Sequence, residues 1–190
     1  MGTPQIFIIT GAIEGGKSIF LNDLSEFLRL FEKSICGFIS RGQFTEEGNK
    51  DFILKDLSTE KETHLASRLE LPGYFNFGKF YFNPTAIKKG NKIIQKAIDS
   101  QSKILIIDEI GPLELSEEVW HESLIEVLNN YRGILIFSTR KRLIEGVISK
   151  FEIHEAFIED IESTSARKTG ESILSLLKSK EESQFRVKNQ

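Results

Sequence analysis

The sequence lacks several features that would each point to a particular class of protein. Cys36 is the only cysteine among 190 residues, so the chain can form neither an internal disulfide nor a cysteine zinc cage. No stretch reaches the roughly 18 consecutive apolar residues that a membrane span requires. The N-terminal residues lack the basic region of a signal peptide. These absences favour a cytoplasmic protein in a reducing compartment.

An excess of basic charge is also missing. Lys and Arg total 25 against 28 Asp and Glu, which gives a formal net charge of −3. A general nucleic-acid-binding protein would carry a basic excess or stripe. We therefore expect no general nucleic-acid binding and no membrane partner, while a protein partner stays open.

The composition that is present suits a globular protein. Apolar residues make up 39% of the chain and charged residues 28%, and the length fits one domain with a substantial core. We predict a single domain over residues 1–178. The residues from 179 to 190 are polar and lack a capping signal, so we predict a disordered tail there.

Short apolar runs alternate with amphipathic segments along the chain. Three runs are typical of buried parallel strands: 5–10 (QIFIIT), 103–108 (KILIID) and 133–138 (GILIFS). Helical spacing predicts helices over 17–32, 84–100, 117–130, 141–150 and 167–178. This alternation predicts an α/β fold with a mostly parallel sheet.

A hairpin is predicted as an insertion on that plan, over about residues 34–66. Strand-like segments at 34–44 and 51–57 flank the turn signal EEGNK, and 63–66 adds a third antiparallel strand. The aromatic segment FNFGKFYF at 75–82 is predicted as a strand or strand edge. Core packing is the expected use of most of its rings, with an aromatic platform for a base or a partner surface as the alternative.

A phosphate-binding pattern directly follows the first predicted strand. The residues Gly11-Ala12-Ile13-Glu14-Gly15-Gly16-Lys17-Ser18 fit G-x-x-x-x-G-K-[ST] and open a predicted helix. Glycines let the backbone curl around phosphates, and the helix N-terminus adds unpaired N–H groups. We predict that residues 11–19, ending with Ile19, bind a nucleoside triphosphate such as ATP or GTP. Lys17 would reach the β- and γ-phosphates, and the Ser18 hydroxyl would ligate Mg²⁺.

A pair of acids ends the second buried strand. Asp108 would lie at the carboxyl end of a parallel strand, where ligands bind, and would hold Mg²⁺. Glu109 is the candidate to accept a proton from an attacking water. The neighbouring acids Glu114, Glu117 and Glu118 are interpreted as a solvated face and as charges at a helix N-terminus.

Further candidates have weaker signals. Ser138 ends the third buried strand, and an arginine finger could come from Arg41, Arg140 or Arg142. Lys79 could also approach phosphate. For each of these residues, and for Lys141, a surface or structural role is the alternative reading of the same pattern.

These motifs together resemble a known family, the P-loop nucleoside-triphosphatases typified by the thermophilic, broad-specificity NTPase and the human cancer-related NTPase. The resemblance covers nearly the whole chain. It rests on the P-loop GAIEGGKS, on CGFISR at 36–41, on FGKF at 77–80 and, most specifically, on DEIGPLEL at 108–115. Phe44 stands where many members carry an arginine, which is typical of a divergent, bacterial-type subgroup.

The resemblance implies a RecA-like three-layer sandwich and Mg²⁺-dependent hydrolysis of several NTPs. Carried over to matching positions, it implies a site of Gly11, Gly16, Lys17, Ser18, Asp108 and Glu109. Two other functions stay open at this point: a nucleotide or small-molecule kinase, and a nucleotide-dependent binding switch. A kinase would exclude water under a lid, whereas the acid pair favours activation of water.

Overall fold

A computed structural model describes residues 3–188, with side chains described as far as residue 182. Nine strands and six α-helices are present in this part of the chain. The strands are β1 (Gln5–Gly11), β2 (Ile35–Phe44), β3 (Lys50–Asp56), β4 (Glu62–Ser67), β5 (Phe75–Phe77), β6 (Phe80–Phe82), β7 (Ile104–Ile107), β8 (Ile134–Arg140) and β9 (Phe157–Asp160). The helices are α1 (Lys17–Arg29), α2 (Pro84–Ser100), α3 (Pro112–Leu115), α4 (His121–Asn130), α5 (Ile144–Lys150) and α6 (Ala166–Lys188), and a 3₁₀ turn (Lys141–Leu143) precedes α5.

All nine strands form one mixed sheet in the order β5-β6-β4-β3-β2-β7-β8-β1-β9. The pairs β2–β7, β7–β8, β8–β1 and β1–β9 are parallel. The pairs β2–β3, β3–β4, β4–β6 and β6–β5 are antiparallel. The α/β prediction is confirmed, and the parallel strands form the core of the sheet.

Strand β2 belongs to both halves of the sheet. Its first residues, Ile35 to Phe38, pair with β7, and the stretch from Phe38 to Phe44 pairs with β3. Gly37 makes the close approach to β7 feasible, because its φ is 124° and a Cβ there would lie 1.9 Å from the Ile106 carbonyl oxygen. The predicted hairpin is therefore a continuation of the central sheet.

Helices cover both faces of the parallel strands. The alternation of side chains along β1 sends Phe7 and Ile9 to one face and Ile6 and Ile8 to the other. The first face packs against α1 and α6, and the second against α2 and α4. This arrangement is the three-layer sandwich that the resemblance implied.

The aromatic segment forms strands at the edge of the sheet, as predicted, but its packing differs from the expectation. It folds as two short strands, β5 and β6, joined by a turn at Gly78, whose φ is 60°. None of its rings is fully buried, and only Phe80 and Phe82 pack against the edge of the core. The expectation that core packing uses most of these rings was wrong, because β5 and β6 are the last two strands at one edge of the sheet.

The C-terminal segment also differs from its prediction. Helix α6 continues to Lys188, so the residues from 179 to 188 are helical where we expected a disordered tail. Polar contacts explain the extension: Lys103 binds Glu181, and Lys180 donates to the Arg132 carbonyl oxygen. The last two residues lie outside the described part of the chain. Within that part, no helix is long and apolar enough to cross a membrane.

Candidate nucleotide site

The phosphate-binding loop joins β1 to α1. Gly16 sits at the helix N-cap with φ 95°, a left-handed conformation that favours glycine, and the Gly15 N–H donates to the Ala12 carbonyl oxygen at 3.1 Å. Lys17 Nζ donates to the same oxygen at 2.8 Å, which folds the lysine back over the loop. Burial lowers the pKa of Lys17. The backbone thus leaves the helix N-terminus open to an anion.

Gly11 lies behind the loop and supports its position. A Cβ on this residue would lie 2.7 Å from the Ile161 side chain. The cleft in front of the loop has a volume of about 720 Å³ and is lined by every residue from Ile13 to Ile19, whereas Gly11 and Ala12 do not line it. The structure therefore places seven of the nine predicted loop residues at the cleft surface.

Asp108 lies at the floor of the cleft, one residue beyond β7, and is 1% exposed. Its Oδ1 accepts from the Ser138 hydroxyl at 2.6 Å, and its Oδ2 accepts from the Ser40 N–H at 3.0 Å. Burial raises the pKa of Asp108 to about 6, against hydrogen bonds from Ser138, Ser18 and Ser40 that lower it. Three strands, β2, β7 and β8, thus meet at this carboxylate, as expected for neighbouring parallel strand ends.

Glu109 has a strained backbone, with φ 63° in the left-handed region. The Ser138 hydroxyl oxygen accepts from the Glu109 N–H at 2.9 Å. The Glu109 side chain turns toward the last residue of β8, and its Oε1 accepts from Arg140 Nη2 at 2.6 Å and from Nε at 3.2 Å. Such strain persists where surrounding contacts impose it, and it concentrates at functional sites.

The cleft walls carry more positive charge than the motifs indicated. Three acids line the cleft, Glu14, Asp108 and Glu109, against seven basic residues, Lys17, Arg41, Lys50, Arg68, Lys79, Arg140 and Arg142. Two of the basic residues, Lys50 on β3 and Arg68 after β4, escaped the sequence reasoning. Lys50 forms an ion pair with Glu14 of the loop. Pairing between β2, β3 and β4 places these two cations at the cleft wall. No local sequence pattern indicates that placement.

The remaining basic candidates separate into two groups. Arg140 and Arg142 line the cleft, while Lys141 between them pairs with Asp160 at 2.8 Å on the outer surface. Arg41 lies at the cleft wall, and its Nη2 pairs with Glu62 at 3.0 Å. Of the three predicted finger candidates, Arg140 is the one bound to Glu109.

Glu114 contradicts its prediction as part of a solvated face. It is 1% exposed, and its Oε2 accepts from the Gly111 N–H at 2.8 Å. The cause is the short helix α3, which starts at Pro112 and folds the carboxylate back onto the preceding turn. Burial raises the pKa of Glu114 to about 7. Glu117 and Glu118 are exposed, as predicted.

The chain is similar in sequence to known nucleoside-triphosphatases. A family model described as NTPase matches residues 6–162. The nucleoside-triphosphatase THEP1 of Sulfurisphaera tokodaii is 36% identical over 144 residues, which cover 74% of this chain and 81% of that protein. The corresponding protein of Thermotoga maritima is 24% identical over 173 residues, or 90% of this chain and 94% of its own length.

Two solved structures share the fold. THEP1 from Aquifex aeolicus has a TM-score of 0.64 at 19% identity and is matched over 91% of this chain and 99% of its own. A human cancer-related nucleoside triphosphatase has a TM-score of 0.67 at 17% identity, over 92% of this chain and 98% of its own. The matched family segment includes the phosphate-binding loop, Asp108 and Glu109, and it spans most of the chain. The chain therefore belongs to the NTPase family of P-loop nucleoside-triphosphatases.

Proposed function

We propose that this protein hydrolyses nucleoside triphosphates to diphosphates with Mg²⁺, and that Glu109 takes the proton of the attacking water. One observation carries the proposal: the Glu109 carboxylate lines the cleft of the phosphate-binding loop beside the buried Asp108. Negative charge from both acids acts on Lys17 and partly offsets the lowering of its pKa by burial. The groups needed for phosphate binding and for proton removal therefore lie around one cavity.

The residues present fit a bound Mg²⁺. The Ser18 hydroxyl lies at the cleft surface, hydrogen-bonded to the Ser40 carbonyl oxygen at 3.1 Å, and it also interacts with Asp108. Asp108 is fully buried with a raised pKa, a situation that a nearby cation relieves by favouring the ionised carboxylate. Ser18 and Asp108 would hold the ion, which supplies positive charge to the β- and γ-phosphate oxygens.

Lys17 and the loop amides bind the phosphates in this proposal. Glycines at positions 15 and 16 keep side chains away from the anion, and the N-terminus of α1 offers unpaired N–H groups. Lys17 exchanges its bond with the Ala12 carbonyl oxygen for the β- and γ-phosphates. Because the lysine is buried, its charge acts through a medium of low dielectric and binds phosphate strongly.

Arg140 orients the proton acceptor. Its guanidinium uses two of five N–H donors on Glu109 Oε1, so three donors stay available for charge that develops on the γ-phosphate. A single side chain thus holds the base and lies beside the reacting group. This geometry supports Arg140 as the internal arginine finger.

The test compares phosphate release by the wild type and Glu109→Gln, with ATP, GTP, CTP and UTP in the presence of Mg²⁺. Glutamine keeps the size of the side chain and an acceptor for Arg140 but cannot take a proton. We expect turnover to fall roughly 10²–10⁴-fold, the usual contribution of a general base, with nucleotide affinity nearly unchanged. Glu118→Gln, which removes an exposed acid nine residues away in sequence, is the control.

Two outcomes would overturn parts of this proposal. Undiminished turnover in Glu109→Gln would assign water activation to another group. A wild type that binds nucleotide but releases no phosphate would remove hydrolysis, and phosphate acceptors and then protein partners would be tested for the kinase and switch functions.

A further inference from the structure

A second cavity adjoins the nucleotide cleft. It has a volume of about 300 Å³ and lies between the β5–β6 hairpin and the turn that follows Glu109. That volume lies at the lower end of the range for small-molecule sites. Ser40, Glu109 and Arg140 line this cavity and the nucleotide cleft alike. The two spaces therefore meet beside Glu109 and Arg140.

The walls of this cavity are mainly aromatic and aliphatic. Five rings line it, those of Phe52, Phe77, Phe80, Phe82 and Trp120. Phe52 and Phe80 meet edge to face at a centroid distance of 5.2 Å, and Trp120 stands against Phe38 at 4.6 Å. Hydrolysis needs only water beside the γ-phosphate, and water gains nothing from such walls. The cavity suits a flat apolar molecule.

Three buried polar atoms on lining residues lack hydrogen-bond partners among the described residues. They are Ser40 Oγ, Glu114 Oε1 and Trp120 Nε1, on residues that are 5%, 1% and 4% exposed. An unpaired buried polar atom costs about 1–3 kcal/mol, so a ligand that binds these atoms would recover that cost. Above its pKa of about 7, Glu114 is an ionised carboxylate whose Oε1 accepts a hydrogen bond, so at such a pH the ligand needs a donor at its edge.

The position of the cavity argues against the nucleotide base as its occupant. Its lining includes no residue of the phosphate-binding loop. Lys17 and Glu109 mark the γ-phosphate end of the cleft in the proposed function, and the cavity lies beyond Glu109. A base placed there would reverse the triphosphate along the loop.

We propose that this cavity is a second-ligand site, which takes a small, uncharged, flat aromatic molecule carrying a hydrogen-bond donor while the nucleotide is bound. The proposal rests on the proposed placement of the γ-phosphate beside Lys17 and Glu109. The ligand lies on the far side of Glu109 and Arg140 from the phosphates, with its ring among the phenylalanines and its donor toward Glu114.

Indole is a suitable probe, because it is flat, uncharged and carries one N–H donor. Trp120 is the sole tryptophan of the chain, so ¹⁵N-labelled protein gives one side-chain indole N–H signal, and it comes from the cavity wall. With protein saturated with ADP and Mg²⁺, we expect a saturable shift of this signal on titration with indole. The probe 1-methylindole, which lacks the donor, should bind about tenfold more weakly, as expected for one lost hydrogen bond.

A matched pair of variants localises the binding. Leu113→Phe adds bulk to the cavity wall and should weaken indole binding at least about fivefold, the effect of roughly 1 kcal/mol of overpacking. Leu30→Phe changes a leucine that is 72% exposed and away from the cavity, and it should leave binding unchanged. Chemical shifts of the amides in each variant report whether the fold is retained.

Several results would overturn the proposal: no saturable shift, equal affinity for the two indoles, equal binding by Leu113→Phe, or binding of indole to the nucleotide-free protein alone. The last result would identify the cavity as the subsite for the base. Because the measurement requires no turnover, a failure here is distinct from a failure of hydrolysis by Glu109.

Discussion

The nucleotide cleft and the adjoining aromatic cavity share six lining residues but differ in construction. The cleft is built at the carboxyl ends of parallel strands, on short strand-to-helix connections, and basic side chains line it. The cavity is roofed by the antiparallel hairpin β5–β6 and lined by rings. Parallel strand ends bring polar loops together in most α/β proteins, whereas the antiparallel extension adds a space lined mainly by rings beside them.

The strongest test of this difference removes Arg140, one of the residues that line both spaces. In Arg140→Ala we expect turnover to fall about 10³-fold, the lower range for an arginine finger, because Glu109 loses its partner and the developing charge loses a donor. The adjacent Lys141→Ala, which loses only a surface pair with Asp160, is the control. Phosphate release under saturating nucleotide measures both, and equal rates would exclude Arg140 from the reaction.

Removing the lysine of the loop should affect the cleft alone. We expect Lys17→Met to weaken ATP binding roughly 10²-fold or more, because the loss of a buried charge that pairs with phosphate costs about 2–5 kcal/mol. Calorimetric titration measures the affinity. The control is Lys33→Met, which replaces an exposed lysine that follows α1. Unchanged ATP binding by Lys17→Met would show that the assigned cleft does not hold the phosphates.

Burial of Glu114 in the cavity wall makes the free energy of unfolding depend on pH. The pKa of Glu114 is about 7 in the folded protein, above the ordinary value of 4.5 for a glutamate carboxyl, so the folded state binds the proton more tightly than the unfolded state does. The free energy of unfolding should therefore decrease as pH rises from about 4.5 to 7 and level off above. Glu114→Gln keeps an acceptor for Gly111 and should be more stable than the wild type above pH 7, by about 1–3 kcal/mol.

Denaturant unfolding at a series of pH values from 4 to 9 measures this effect. Asp108 also has a raised pKa and contributes to the wild-type curve, so the difference between wild type and variant isolates Glu114. The variant Glu118→Gln should follow the wild type. A Glu114→Gln curve parallel to that of the wild type would contradict the assignment.

The smallest effect is expected at the hairpin wall of the cleft. Lys50 pairs with Glu14 of the loop and lines the cleft. Lys50→Met should raise KM for ATP about three- to tenfold with kcat nearly unchanged, because a partly exposed charge contributes about 1 kcal/mol. Lys55→Met, on the same strand but paired with Glu60 at 2.7 Å, should leave KM unchanged. A fall in kcat without a change in KM would place Lys50 in the reaction instead.

The sequence predicted the structure best where all residues of a motif belong to one continuous segment of the chain. The strand, loop and helix around Lys17 form from consecutive residues, so their spacing predicts their shape, and the same holds for Asp108 at the end of β7. The roles assigned to Ser18, Asp108 and Glu109 stay predictions until the variants are measured. Arg140 was one of three candidates, and the Glu109 contact distinguishes it.

The reasoning failed where distant segments set the environment. Glu114 was assigned to a solvated face because its neighbours Glu117 and Glu118 are acidic, but a single helical turn buries it against Gly111. Most rings of the aromatic segment were assigned to the core, but the hairpin lies at the edge of the sheet and lines a cavity. Lys50 and Arg68 drew no attention, because neither belongs to a motif.

By itself, the sequence determined the fold class, the phosphate-binding loop and the acid at the end of the neighbouring strand. These features depend on hydrophobic periodicity and on contacts between residues that are close along the chain. Only the tertiary structure decided which arginine binds Glu109, which cations wall the cleft, and that Glu114 and the aromatic hairpin enclose a second cavity. The physical reason is that burial and pairing across a sheet depend on register between segments far apart in sequence, which no local pattern encodes.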